Sequence, residues 1–114
     1  MKIEIKAVKI KDKEILREMM ADYEKEITGK NEEYKYLDSY WEKENRWPFF
    51  ILVDEKVAGL VLVNKYNLVE KEARNISEFY IRKEYRQKGI GRETALKVFE
   101  KFKGKWEVRE IRKN

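Results

Sequence analysis

The sequence predicts a single α+β domain with its elements in the order β-α-α-β-β-β-α-β. Three observations support this class. The amino end alternates apolar and charged residues, two segments repeat apolar residues at three- and four-residue spacings, and short β-favouring runs are separated by turn residues. With 114 residues, the chain is long enough for one domain with a modest core.

The first elements are a strand and two helices. Residues 2–9 alternate Ile3 and Ile5 with charged side chains, which predicts a strand with one solvated face. Asp12 is the expected N-cap of the next helix, and Gly29 follows its end. The apolar positions expected to be buried in this helix are Ile15, Leu16, Met19, Met20, Tyr23 and Ile27. A second helix is predicted from the spacing of Tyr34, Leu37, Tyr40 and Trp41.

The middle of the chain predicts a β-hairpin. Pro48 is expected to break the preceding pattern because proline lacks an N–H group. Residues 49–53 then predict a buried strand, residues 54–56 a turn, and residues 57–63 the returning strand. Residues 66–74 form a polar connection.

The most informative stretch is a strand, a glycine-bearing turn and a helix. Residues 76–81 predict the strand, and Gly89 and Gly91 precede a helix expected from Arg92. The apolar positions of this helix are Ala95, Leu96, Val98, Phe99 and Phe102. Unpaired N–H groups at such a helix start form an anion socket, which Arg86, Lys88 and Arg92 would surround. The alternative is an ordinary turn with a solvated basic rim. Gly104 ends the helix, and residues 106–111 predict a fifth strand.

The amino-acid composition limits the kinds of catalytic and metal site that the chain can form. The chain has no Cys and no His, which excludes a thiol nucleophile, a Ser-His-Asp arrangement and the usual transition-metal sites, so no metal site is predicted. The net charge of +5 is dispersed, which favours a phosphorylated small molecule over nucleic acid as the partner. The amino end lacks the apolar core of a signal peptide and no run suits a membrane span, so we expect a cytoplasmic protein without a membrane partner.

The pattern Arg86-x-x-Gly89-x-Gly91, with the preceding FYIRKEYR, resembles the acetyl-CoA-binding signature of the GNAT superfamily of N-acetyltransferases. FILVDEKVAGLVLV likewise resembles the hairpin of the second and third GNAT strands. The resemblance covers nearly the whole chain and implies the GNAT-like acyl-CoA N-acyltransferase fold, with a mixed, mostly antiparallel sheet. The family continues beyond the position of Asn114 with a fourth helix and two strands. We therefore expect a fragment or a natural short form, whose uncovered edge favours a homodimer.

The resemblance also implies an acetyl-CoA site. The diphosphate would bind the backbone N–H groups of the signature, which are those of Gln87, Lys88, Gly89, Ile90, Gly91 and Arg92. The pantetheine arm would pair with the backbone of Phe79, Tyr80 and Ile81, between the splayed fourth and fifth strands. An N–H group of the fourth strand would polarise the thioester carbonyl.

Catalysis would transfer the acetyl group to an amine by direct attack. Glu78 is the candidate base, because burial in an apolar strand is expected to raise its pKa. The alternative for Glu78 is a strand-end carboxylate paired with Arg82 or Arg74. Ser77 would orient a water molecule, and Tyr80 would be either the acid, in place of a family tyrosine beyond Asn114, or a packing residue.

Three functions remain open from the sequence: an amine acetyltransferase, a CoA-binding module without turnover, and an adaptor that binds polyanions through the basic rim. The aromatic segment around Tyr34 and Tyr40 is either a hydrophobic seam or a wall of the acceptor site. The acceptor amine itself is not specified.

Overall fold

Four strands and three helices appear in the computed structural model, which describes residues 1–30, 34–65 and 73–107. The elements are β1 (Ile3–Ala7), α1 (Lys13–Thr28), α2 (Ser39–Glu42), β2 (Arg46–Val53), β3 (Lys56–Asn64), β4 (Asn75–Ile81) and α3 (Ile90–Lys101). Short 3₁₀ turns precede α1 and follow β4. This order confirms the predicted α+β class as far as the last predicted helix.

The four strands form one antiparallel sheet in the order β1-β2-β3-β4. Sequential strands are neighbours, so each connection is local or passes over one face. The β2–β3 hairpin turns at Asp54 and Glu55, whose φ angles of 49° and 70° are both positive. Two such residues give a turn whose twist matches that of the flanking strands, so the predicted hairpin is confirmed.

The core lies on both faces of the sheet. On one face, α1 and α2 cover a cluster that includes Leu16, Met20, Leu60 and Tyr80. On the other face, Ile90 and Val98 of α3 belong to a second cluster, against which the partly buried Ile3 and Ile5 of β1 also pack. The predicted alternation of β1 is therefore explained by an apolar face directed towards α3.

One predicted buried helix position, Ile15, is wrong, and two apolar positions of the last helix are exposed. Ile15 is 48% exposed, because the buried stripe of α1 runs through Leu16, Met19, Met20 and Tyr23 and leaves Ile15 one position outside it. In α3 the buried residues are Ile90, Thr94 and Val98, which follow a four-residue spacing. Leu96 and Phe99 lie off that stripe, with 46% and 41% of their surfaces exposed.

Two further predictions about elements are wrong. The second helix has only the four residues Ser39–Glu42, so Tyr34 and Leu37 lie before it. Pro48 lies within β2 instead of ending the preceding pattern. β1 ends opposite Phe49, so Pro48 is beyond that ladder, and its carbonyl oxygen accepts a hydrogen bond from the Val8 N–H at 2.9 Å.

The end of the described chain returns to the start of β4. Arg74 and Trp106 form a parallel bridge, in which the Arg74 N–H donates to Lys105 O at 2.9 Å and the Glu107 N–H donates to Arg74 O at 2.8 Å. Most of the predicted fifth strand lies outside the described residues, as does most of the connection at 66–74. In the described part of the chain, no helix combines the length and apolarity that a membrane crossing requires.

Candidate functional site

The turn between β4 and α3 exposes backbone N–H groups at the helix start. Gly89 is the N-cap residue, with a left-handed φ of 77°. The first helical hydrogen bond runs from the Glu93 N–H to Gly89 O at 3.2 Å, so the amides of Ile90, Gly91 and Arg92 precede the first acceptor in the helix. These amides lie at the positive end of the helix dipole and suit an anion. The helix begins two residues earlier than the predicted Arg92.

Gly91 is required for a different reason from Gly89. Its φ is not left-handed, but a Cβ atom built there would lie 3.3 Å from Ile81 Cδ1 and 3.9 Å from Phe79 Cε1. The absence of a side chain lets the first turn of α3 pack closely on β4. The two glycines therefore fix the turn conformation and the helix position separately.

The three basic residues predicted to surround the socket have different roles. Arg86 Nε donates to Ile81 O at 2.8 Å, and its Nη2 donates to Glu26 Oε2 at 2.6 Å. Arg86 therefore ties the turn to β4 and to α1. Lys88 and Arg92 are exposed beside the helix start, where their charges can attract an anion.

β4 is the outer strand of the sheet formed by the described residues. The Arg82 N–H donates to Ala58 O at 2.8 Å, and Tyr80 pairs with Leu60 in the same register. Because alternate residues of an antiparallel strand direct their N–H and C=O groups to opposite sides, Tyr80 bonds towards β3. Phe79 and Ile81 therefore direct theirs to the side of β4 away from β3, where Ile81 O accepts the bond from Arg86.

Two of the three candidate catalytic residues of β4, Ser77 and Glu78, lie at a β-bulge. Leu62 pairs with Glu78 and Val63 pairs with Ile76, which leaves Ser77 as the extra residue. Glu78 is 7% exposed and lies mid-strand, one position after the bulge.

Both arginines that the sequence offered as partners of Glu78 donate to backbone carbonyls. Arg82 Nη1 donates to Val57 O and Arg74 Nη1 to Lys103 O, each at 3.3 Å. The Arg74 guanidinium also stacks on the Trp47 ring, 4.8 Å from its centroid.

Tyr80 contacts helix α1. Its hydroxyl donates to Glu26 Oε1 at 2.9 Å, and its ring lies 5.2 Å from that of Tyr23. Burial, together with the hydrogen bond to Glu26, raises the pKa of Tyr80 to about 12. Burial opposes ionisation of Glu26, but hydrogen bonds from Arg86 and Tyr80 outweigh this effect and lower the pKa of Glu26. Sequence reasoning missed Glu26, which no motif marks.

Two cavities border β4. One, of about 490 Å³, lies beside Tyr80, Glu26, Arg82 and Lys83. The other, of about 420 Å³, lies at the bulge and is bordered by Ser77, Tyr34 and Tyr40. The aromatic segment that the sequence singled out thus meets β4 at Ser77. Within the described ranges, no group of three or more acidic side chains is arranged to hold a metal ion.

Comparisons with known proteins agree with this geometry. A family model described as the acetyltransferase (GNAT) family matches residues 13–113. A search of curated proteins gives no match. An acetyltransferase from Thermus thermophilus superposes with a TM-score of 0.74 at 18% identity, covering 92% of this chain and 72% of that one.

Two other solved structures have acceptors in their names. A ribosomal-protein-alanine N-acetyltransferase from Brucella melitensis biovar Abortus 2308 gives a TM-score of 0.67 at 16% identity, covering 89% of this chain and 71% of that one. An aminoglycoside acetyltransferase from an uncultured soil metagenomic sample, in complex with sisomicin, gives a TM-score of 0.68 at 18% identity. The match covers 95% of this chain and 77% of that one. At these identities the likeness concerns the fold.

Proposed function

Because the chain belongs to the GNAT acetyltransferase family, we propose that it transfers the acetyl group of acetyl-CoA to a primary amine by direct attack. The observation that carries this proposal is the start of α3, where Gly89 is left-handed and three amides precede the first helical acceptor. This arrangement suits the diphosphate of CoA.

The residues around the turn fit the rest of the cofactor. The amides of Ile90, Gly91 and Arg92 would hold the diphosphate, with the amides of Gln87, Lys88 and Gly89 directly before them. The Lys88 and Arg92 side chains would add positive charge. On the side of β4 away from β3, the backbone of Phe79 and Ile81 would pair with the pantetheine arm. Bound acetyl-CoA would supply the activated acetyl group, and the Phe79 N–H is our choice for polarising its carbonyl.

The base in this proposal is Glu78. It is buried at the bulge, and its negative charge contributes to raising the pKa of the neighbouring Tyr34, after the larger effects of burial and of Tyr40. A proton leaving the amine would reach Glu78 through the Ser77 hydroxyl or a water molecule that Ser77 orients.

Protonation of the departing thiolate does not depend on Tyr80 in this proposal. A thiol has an ordinary pKa of about 8.5, whereas the pKa of Tyr80 is about 12 and its proton is donated to Glu26. Transfer of a proton from Tyr80 to such a thiolate would be unfavourable. We assign Tyr80 to packing and to holding α1, and we propose that solvent protonates the thiolate.

The test is thiol release from acetyl-CoA with a panel of primary amines. Glu78→Gln should lower kcat/KM at least about 100-fold, which is the lower end for loss of a general base. Glu18→Gln, an exposed substitution on α1, is the matched control and should leave the rate unchanged.

Thiol release, combined with thermal unfolding and polyanion binding, separates the alternative functions. Thermal stabilisation by acetyl-CoA without thiol release from any amine would select a CoA-binding module. Salt-sensitive binding of polyanions without competition by CoA would select the adaptor. Full activity of Glu78→Gln would remove Glu78 from the mechanism.

A further inference from the structure

The cavity at the bulge is the place where an acceptor would meet Ser77. It has a volume of about 420 Å³, within the range of small-molecule sites. Its walls include three tyrosines, Tyr34, Tyr36 and Tyr40, and two cationic residues, Lys43 and Arg46. A site with aromatic walls and a few charged groups selects ligands by flat apolar contact and by charge.

The cationic residues lie where α2 ends and β2 begins. Lys43 is the C-cap residue of α2, and Arg46 is the first residue of β2. Arg46 Nη1 donates to the carbonyl oxygen of Asn45 at 3.2 Å, and the Asn45 φ of 62° is left-handed. The turn between α2 and β2 therefore holds two positive charges at the rim of the cavity.

Glu78 provides a negative charge close enough to affect Tyr40, which lines the same cavity. Burial raises the pKa of Tyr40, while hydrogen bonds with Asn64 and Ser77 lower it. The charge of Arg46 also lowers this pKa and the charge of Glu78 raises it. The Tyr40 hydroxyl is held by Asn64 Nδ2 at 3.2 Å. The carboxylate at the bulge and the guanidinium at the rim therefore both affect the pKa of this one hydroxyl.

This arrangement favours a ligand with both charges. An ammonium group would be attracted to the Glu78 side, where the amine must lose its proton, and an anionic group would be attracted to Lys43 and Arg46. A polycation would instead meet two like charges at the entrance, which disfavours it.

We propose that the acceptor is a small primary amine that also carries a carboxylate or a phosphate, and that Lys43 and Arg46 determine this specificity. The inference rests on the proposed acetyl transfer and specifies its substrate class. The two residues bind the anionic group and leave the chemical step to the groups at the bulge, so they act on KM more than on kcat.

The experiment compares amines in matched pairs. Phenylalanine and phenethylamine differ by a carboxylate, and O-phosphoethanolamine and ethanolamine differ by a phosphate. We expect the anionic member of at least one pair to have a kcat/KM at least about tenfold higher, after correction for the free-amine fraction. The two pairs distinguish carboxylate from phosphate, and sisomicin serves as the polycationic comparison.

Three variants assign the preference to the cavity. Lys43→Gln and Arg46→Gln should each raise KM for the amine that carries the anionic group and leave kcat/KM for the partner that lacks this group within about twofold. Lys35→Gln removes an exposed positive charge from the segment between Tyr34 and Tyr36 without touching the cavity lining, and it should keep the wild-type preference.

The outcomes separate this inference from the proposed function. Equal rates within both pairs, or a preference for sisomicin, would overturn the inference while acetyl transfer stands. If no amine is acetylated, the proposed function fails. Calorimetric titration of the same four amines in the presence of CoA then decides the charge preference, and equal or undetectable heats within both pairs would overturn it.

Discussion

Replacing Gly89 with alanine tests the anion socket against a closely matched control elsewhere in the chain. Gly89 has φ and ψ angles of 77° and 5°, and Gly29 at the end of α1 has 75° and 5°. A Cβ atom built at either position meets no heavy atom within 4 Å. The two substitutions therefore impose the same backbone strain without a clash, and only one of them lies at the proposed diphosphate site.

The intrinsic cost follows from the left-handed conformation. An L-residue in the left-handed conformation lowers the free energy of unfolding by roughly 1–2 kcal/mol. In a domain of this size, each kcal/mol lost lowers Tm by about 4 °C. Gly29→Ala and Gly89→Ala should thus each lower Tm by about 4 to 8 °C without ligand.

The ligand-dependent part should differ between the two variants. At a CoA concentration about 100 times Kd, binding adds about 2.7 kcal/mol of stability. Alanine at position 89 favours leaving the left-handed region, which would turn the amides of Ile90 and Gly91 away from the ligand. A tenfold loss of affinity removes about 1.4 kcal/mol, so Gly89→Ala should lose about half of the CoA-dependent shift.

The assay is thermal unfolding with increasing CoA, followed by circular dichroism. Gly29→Ala should retain the complete wild-type shift. If both variants retain it, or if the wild-type protein shows no shift at all, the diphosphate does not bind at the start of α3 and the reasoning from the amides is refuted.

Two further predictions concern stability. Gly59→Ala would place a Cβ atom 2.1 Å from Tyr80 O, so β3 and β4 must separate and the loss should exceed about 3 kcal/mol; an unchanged urea midpoint would contradict this. Because the pKa of Glu26 is lowered below its ordinary 4.5, its bonds to Arg86 and Tyr80 stabilise the protein above that pH, and the side chain is about one-third exposed. Glu26→Gln should therefore cost up to about 1 kcal/mol at pH 7, and the difference in urea midpoint should shrink below pH 4.5; a constant difference would argue against the ion pair.

Local patterns in the sequence were sufficient to predict an element where one local interaction determines its conformation. The Asp54-Glu55 turn, the capping glycine at position 29 and the strand before Gly89 follow from backbone preference and alternation. The buried faces of the helices were harder to predict, because Ile15 and Leu96 match the helical spacing of apolar residues as well as their buried neighbours do. Which side of a helix meets the sheet depends on how the helix is rotated, and that is set by packing.

The candidate site also contains some residues that the sequence predicts and others that it does not. The signature residues from Arg86 to Arg92 could be read from the sequence because they are contiguous and their geometry is local. The bulge at Ser77 could not, since it depends on the register between β3 and β4. The contacts of Glu26 with Arg86 and Tyr80 join residues 60 and 54 positions apart, and no local pattern predicts them.

By itself, the sequence determined the class of fold, the hairpin and the glycine-bearing start of α3, because each depends on the conformational preferences of neighbouring residues. Only the tertiary structure decided that Arg86 is bound to α1, that the backbone groups of Phe79 and Ile81 face away from β3, and that Lys43 and Arg46 border the cavity at Ser77. These features depend on strand register and on contacts between distant segments, which form only when the chain packs and burial outweighs local preference.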